Sequence, residues 1–418
     1  MKKNSVALVC LLAACLLDPP GANAAPPIPA AASIVLVTDQ ALDGVGGKLH
    51  NARIQVTGDK IVSLAGPADR AAIDLRGYTV LPGWIDAHVH IASHFDRTGH
   101  LATSSEPPAE SALEMAEAAW KTLMAGFTTI QSVGDPSEGP LRDAIRENGL
   151  PGPRLLTSLA PIEGDLQATP DATLRALVRE RKAQGADLIK IFASSSQRIG
   201  ANPTLSESQL KVLCDEARAV GLRSMVHAYR GQVAAAARAG CREIEHATYA
   251  TVEELQVAVQ AGAFITPQVG LVVQNYIENQ DRYIGIDGYT VAGMTVMLRD
   301  MPEDFAACTR LVHMPGAKMP FGTDATAGAH GHNAEEFIGR VQHCGQSPMA
   351  ALVAANSVSA EAIGLGGQLG RLAPGYVADI IALDGDPLED ITAVRRVVFV
   401  MHDGKIVKWD GPRSHQRQ

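Results

Sequence analysis

Residues 81–90 read LPGWIDAHVH. An apolar run climbs to a tight turn at Pro82-Gly83, continues through Trp84 and Ile85, and then sets His88 and His90 two residues apart. Alternate residues of a β-strand face the same side, so both imidazoles share one face of an otherwise apolar strand. A lone buried histidine reads as a hydrogen-bonded core residue. A pair at this spacing, in a chain with only 13 histidines, reads instead as two ligands offered to one metal ion by one strand.

Outward from this strand, residues 81–365 alternate short apolar runs with helical patterns. The runs at 84–90, 127–134, 154–160, 187–193, 223–229, 243–248, 263–268 and 318–325 predict eight strands. Helical stretches such as ESALEMAEAAWKTLMAG and TPDATLRALVRERKAQG lie between them, the second ending on Gly185 as a C-cap does. Eight strands with intervening helices predict an α/β fold, a (β/α)8 TIM barrel. The segment around 270–310 reads as long and irregular, a lid over the barrel mouth.

In such a barrel the C-terminal ends of the strands converge on the face that carries the chemistry. At those ends stand His88 and His90, Lys190, His227, His246 and Asp324. Taken singly, His246 reads as a core histidine and Asp324 as a loop or capping residue. Their joint placement points to a metal site. Lys190 sits among apolar neighbours in Leu188-Ile189-Lys190-Ile191-Phe192. A bare ammonium buried there costs several kcal/mol; a neutral amine escapes that cost and can add CO2, giving an anionic carbamate with two oxygens. The alternative is a lysine that snorkels to solvent or pairs with a carboxylate.

PGWIDAHVH, Lys190 in DLIKIFAS, His227 in VHAY, His246 in IEHATYA and Asp324 in FGTDA together resemble the amidohydrolase superfamily. The resemblance covers nearly the whole chain and is nearest to the imidazolonepropionase-like, metal-dependent carboxypeptidase and N-acyl-amino-acid (ochratoxin-type) hydrolase branch. It implies two divalent ions, zinc best suiting the donors, with His88, His90 and Asp324 on one and His227 and His246 on the other. A carbamylated Lys190 would bridge them. It implies attack on an amide carbonyl by a hydroxide held between ions about 3.5–4 Å apart, with Asp324 as proton shuttle. The substrate would be a dipeptide or N-acyl amino acid, ochratoxin-like N-acyl-phenylalanine included.

Tyr229 and Arg230 follow His227, and by the same resemblance bind the terminal carboxylate; a surface Arg and a packing Tyr are the alternative. HGHNAEEF makes His330 a candidate substrate contact, and His332 reads as solvent-facing. One departure stands out. The branch carries a histidine after its third strand, where this chain reads LAPIEGDLQATPD with Glu163 near that place; His94 or His100 in SHFDRTGH could replace it, though that stretch also reads as an ordinary polar loop. Two other functions stay open: a mononuclear cyclic-amide hydrolase or deaminase, and a non-catalytic periplasmic metal- or solute-binding protein.

Residues 33–80 and 366–412 both alternate as short strands, with turns at Gly58-Asp59-Lys60 and Asp403-Gly404-Lys405. They predict one small β-sandwich built from both chain ends around the 81–365 barrel. At the N-terminus MKKNS, an apolar VALVCLLAACLL and an Ala-x-Ala site predict a signal peptide over 1–24 and a periplasmic or secreted protein. LAAC also matches a lipobox, the alternative being a lipid anchor on Cys15. Removing 1–24 takes away Lys2, Lys3 and Asp18 and moves the net charge from −9 to −10. Without a basic cluster, nucleic acid is not an expected partner; no later stretch predicts a membrane span, and a homo-oligomer is expected from the branch alone. With only 4% aromatics the core is expected to be aliphatic and close-packed. Cys214, Cys241, Cys308 and Cys344 show no framework spacing, so no disulfide is expected, and Cys214 reads as a small buried apolar residue.

Overall fold

The computed structural model describes residues 33–68, 72–286 and 288–411. The expected signal peptide and the Cys15 anchor lie outside the described residues.

The described residues open with β1 (Ser33–Leu42), β2 (Lys48–Thr57), β3 (Lys60–Ser63), β4 (Ala72–Asp74) and β5 (Thr79–Pro82), and end with β13 (Ile380–Leu383), β14 (Val397–His402) and β15 (Lys405–Trp409). Between β5 and β13 come β6 (Trp84–Val89), β7 (Phe127–Ser132), β8 (Arg154–Thr157), β9 (Leu188–Phe192), β10 (Arg223–Ala228), β11 (Glu243–His246) and β12 (Phe264–Thr266). Their connections are α1 (Pro108–Met124), α2 (Glu138–Arg146), α3 (Asp171–Ala183), α4 (Glu207–Ala219), α5 (Gln232–Arg238) and α6 (Val252–Gln260). The molecule is therefore mixed α/β. Strands β6-β7-β8 form one parallel sheet and β9-β10-β11-β12 another.

Local chemistry sets these boundaries. Capping boxes at Ser206/Gln209 and Thr251/Glu254 start α4 and α6. Gly185 takes a positive φ of 89° just past α3, as its position in the sequence predicts. Every residue of β6 and β7 is buried, the polar Asp86, His88, Thr128, Thr129, Gln131 and Ser132 included. The scarcity of aromatics is met by alanine: Val233 through Ala237 of α5 are all buried, so this helix packs very close to its sheet.

Two expectations need correction here. Residues 318–325 form no regular strand; they touch their neighbours through single parallel bridges, Phe264 to Lys318 and Val89 to Ala325. Pro320, which lacks an N–H, and the positive φ of 54° at Asp324 interrupt a continuous ladder. The 270–310 region is not irregular. It folds as α7 (Leu271–Glu278), α8 (Gln280–Tyr283) and α9 (Val291–Val312), around a cluster that includes Val272, Val273, Tyr276, Tyr283, Met294 and Met297.

The two chain ends meet in one continuous eight-stranded sheet, ordered β15-β14-β13-β5-β1-β2-β3 with β4 also on β1. The expected sandwich is thus hydrogen-bonded throughout as a single mixed sheet, closed over Leu36, Ile54, Ile61, Val80, Ile380 and Phe399. Asp403 and Gly404, with φ of 48° and 72°, make the two-residue hairpin between β14 and β15. Gly83 alone joins this sheet to β6, and a side chain there would strike Thr128.

All four cysteines outside the N-terminal segment are paired: Cys214 with Cys241, and Cys308 with Cys344. This overturns the expectation of no bridge. The partners are 27 and 36 residues apart and belong to different elements, so only the fold brings their Cα atoms to 5.2 and 5.5 Å. No helix among the described residues is long and apolar enough to cross a membrane.

Candidate metal centre

One cavity of about 890 Å³ is lined by His88, His90, Lys190, His227, His246 and Asp324, with Tyr229 beside them. Six residues spread over more than two hundred positions of sequence thus share one wall. Parallel pairing explains the convergence: Lys190 is in register with Met225, Phe192 with His227, and Ala228 with His246.

His90 Nε2 and His88 Nε2 lie 2.9 and 3.2 Å from Asp324 Oδ1. A ligand atom from each of these three residues falls within 4.8 Å of the other two, a group compact enough for one ion. The His246 ring is 5.3 Å from that of His88 and 4.5 Å from that of His227, centroid to centroid. Burial strips both of protons: His227 is held well below the ordinary imidazole value and His246 falls to about 3. Neutral imidazoles are the form that binds metal.

Two buried polar atoms here have no hydrogen-bond partner, Lys190 Nζ and His227 Nε2. Orphans of this kind are rare in folded proteins, and both become satisfied as ligands to a cation. The donor set therefore fits a metal. Burial lowers the Lys190 amine to about 8, against the pull of Glu245, Asp324 and Glu243. Burial alone would raise the Asp324 carboxyl, but His88 and His90 hold it well below the carboxylate range.

The backbone is strained at the site. His246, Ala247 and Asp324 have φ of 70°, 58° and 54°, a left-handed conformation that costs a non-glycine residue on the order of 1 kcal/mol. Surrounding hydrogen bonds hold it. Asp86 accepts from the Thr323 hydroxyl at 2.6 Å and from Asn333 Nδ2 at 2.7 Å, while the Asp324 N–H donates to His88 O at 2.8 Å. Glu245 Oε2 lies 2.7 Å from His88 Nδ1 and also accepts from Gln268 at 3.1 Å, which turns His88 Nε2 toward the cavity.

Sequence reasoning missed Asp86 and Glu245, although period two was the available signal: Asp86 precedes His88 by two, and Glu245 follows Glu243 by two on a buried strand. Two of its candidate substrate contacts do not reach the cavity. Arg230 is exposed and donates from Nε to Tyr249 O at 2.9 Å. His330 is buried, contacts Ser93 O through Nε2 at 2.9 Å, and lines a separate, smaller pocket. The first-loop histidines are also tied elsewhere, His94 to Glu106 at 2.6 Å and His100 to Thr98 at 3.2 Å. Glu163 lines the cavity.

This donor set suits a metal-dependent enzyme, and residues 79–407 match the amidohydrolase family. The chain belongs to that family. Within it, it falls in the dipeptidase and ochratoxinase branch: the ochratoxinase of Aspergillus niger is 26% identical over 425 residues, covering 88% of this chain and 85% of that one. A Xaa-Pro dipeptidase with bound methionine superposes with a TM-score of 0.80 at 25% identity, covering 90% of this chain and all of that one. A prolidase complexed with N-methylphosphonate-L-proline gives 0.79 at 28%, with the same coverage. The protein is a metal-dependent hydrolase acting on C–N bonds.

Proposed function

We propose that the protein is a binuclear amide hydrolase that cleaves the last amide bond of dipeptides or N-acyl amino acids, N-acyl-phenylalanines of the ochratoxin kind included. The observation that carries this reading is Lys190: an amine 1% exposed, without a partner, in the same cavity as four histidines and Asp324. A mononuclear site has no use for it.

The neutral Nζ attacks CO2, the N–C bond forms, one C–O π pair moves onto oxygen and a proton leaves to water. The carbamate so formed replaces an unpaired amine by an anion with two donor oxygens. His88, His90 and Asp324 would hold one divalent ion, His227 and His246 a second, and the carbamate both; zinc suits this nitrogen-rich set. Bound there, such ions would supply a water of lowered pKa and a polarised scissile carbonyl. Asp324 accepts that water's proton on its carboxylate and returns it to the departing amine nitrogen. Tyr229, its ring 4.7 Å from that of His227, borders the reacting bond. The cap of α7 and α9 excludes water from one side.

The two parallel sheets, we infer, close into a (β/α)8 barrel over 81–365, with the sheet from 33–80 and 366–412 as a second domain. Single parallel bridges between Ile162 and Ile191, Phe264 and Lys318, and Val89 and Ala325 support the closure. Export to the periplasm or medium, or anchoring at Cys15, is supported by the two disulfides, which persist in oxidising compartments. A homo-oligomer remains part of the proposal.

A panel of dipeptides and N-acyl amino acids, assayed with protein carrying two zinc ions per chain, tests the reading; total inactivity would sink it. The mononuclear cyclic-amide hydrolase or deaminase is favoured by one observation, that the compact three-ligand group contains only His88, His90 and Asp324. One ion per chain, with Lys190→Ala still active, would establish that alternative.

A further inference from the structure

We propose that Arg198 is the carboxylate anchor of this site, so that the enzyme selects amides whose amine half is an amino acid with a free carboxylate and a large apolar or aromatic side chain. This deepens the amide-hydrolase reading and rests on it.

Arg198 lies in the short 3-10 helix Gln197–Ile199 that follows β9, and it lines the cavity. Helix α9 closes over its stem: a Cβ at Gly293 would come within 3.1 Å of Arg198 Cβ. The guanidinium carbon sits 3.8 Å from the centre of the Tyr289 ring, which fixes the plane of the fork and leaves its edge free for a ligand. Among the described residues no carboxylate forms an ion pair with it and no side chain accepts a hydrogen bond from it. A half-buried guanidinium without an anion forfeits charge-assisted hydrogen bonds that a carboxylate supplies in bidentate form.

The surroundings define where an anion goes. The described cavity wall carries two Lys or Arg side chains, Lys190 and Arg198, and the first is taken up by the metal site. Carboxylates on the same wall include Asp135, Asp165 and Asp324. Of the two cationic side chains on this wall, Arg198 alone is left to pair with a carboxylate, and a carboxylate held there orients the substrate as well. Val272, Val273, Tyr276 and Met297 line the same cavity and receive an apolar side chain. Arg230, exposed and donating to Tyr249 O, is unsuited to the role.

The test uses full-length, metal-stripped protein, titrated calorimetrically with N-acetyl-L-phenylalanine and with N-acetyl-L-phenylalaninamide. The acid is expected to bind about 10- to 100-fold more tightly than the amide, the value of a charge-assisted bidentate contact. Arg198→Gln should abolish that preference, and Arg198→Lys, which keeps charge but loses the fork, should retain only part of it. Equal binding of acid and amide by the wild type, failure of the acid to bind at millimolar concentration, or a preference that survives Arg198→Gln in folded protein overturns the assignment. The wild-type comparison decides even where the variant does not fold. Failure of the hydrolase reading looks different: the two-metal enzyme is inert while the metal-free preference for the acid persists.

Discussion

His88 and Glu245 stand 157 residues apart in sequence, yet Nδ1 of one and Oε2 of the other are 2.7 Å apart, each side chain 1% exposed. A carboxylate behind a histidine fixes its tautomer and raises its strength as a ligand. Removing such a partner typically costs 10- to 100-fold in metal affinity. Glu245→Gln is therefore expected to weaken zinc binding by about that factor without loss of folded protein, as read by competition with a chromophoric chelator. An unchanged affinity would mean that Gln268 or packing alone orients the ring.

Lys190→Met should separate function from stability. Hydrolysis is expected to fall by about a thousandfold, in line with loss of a group that acts with the metals, and bound metal to fall toward one ion per chain. The metal-free protein should be no less stable, since a buried amine without a partner costs about 1–3 kcal/mol that a thioether does not. In wild-type enzyme treated with 13C-bicarbonate, a carbamate carbon signal should appear that the variant lacks.

Asp324→Asn keeps the shape and one ligand oxygen but cannot carry a proton. Turnover is expected to drop by about 10²–10⁴, while metal content measured by mass spectrometry falls by less than one ion per chain. Full activity in the variant would assign the proton transfer elsewhere.

Asp304, on α9 beneath the cavity, accepts a hydrogen bond from Thr248, and burial pushes its carboxyl up to about 7. Its folded value lies above its unfolded one, so between about pH 4 and 7 the folded state holds the proton more tightly. The stability it contributes is complete below about pH 4 and is lost as pH rises through about 7. Asp304→Asn should remove that slope, leaving the variant about 1–3 kcal/mol less pH-sensitive over this window in denaturant titrations of metal-free protein.

Each disulfide closes a loop long enough to be worth about 3 kcal/mol. Thiol reduction, or Cys214→Ala with Cys241→Ala, should lower the denaturation midpoint accordingly, with the Cys308 and Cys344 pair additive because it ties separate elements. A midpoint unmoved by reductant would mean that the bridges do not form in the purified protein.

That the six side chains His88, His90, Lys190, His227, His246 and Asp324 share one cavity was legible because a strand repeats every two residues and strand ends converge. His88 and His90 needed no partner to be read as a pair, and Lys190 declared itself by sitting in LIKIF. The left-handed turns at His246 and Asp324 were not legible, since no glycine marks them. Arg230 stood out because its nearness to His227 is visible in a sequence; that it turns away to Tyr249 O is not, since the direction in which a loop leaves a strand is set by the fold. The 270–310 cap was misread because its aromatics pack on one another, Tyr276 on Tyr283 at 5.0 Å and Tyr283 on Tyr289 at 4.9 Å, rather than following one helical stripe.

By itself, then, the order of residues determined the alternation of strands and helices, the residue types at the strand ends, and with them a metal-binding hydrolase. Those follow from local periodicity and from the cost of burying a charge, both of which act within a few residues. The tertiary structure alone decided that Glu245 backs His88, that Cys214 pairs with Cys241 and Cys308 with Cys344, that strands from 33–82 and 380–409 share one sheet, and that Arg198 is the arginine lining the cavity. Each is a contact between segments distant in sequence, made only when close packing brings them within a few ångströms.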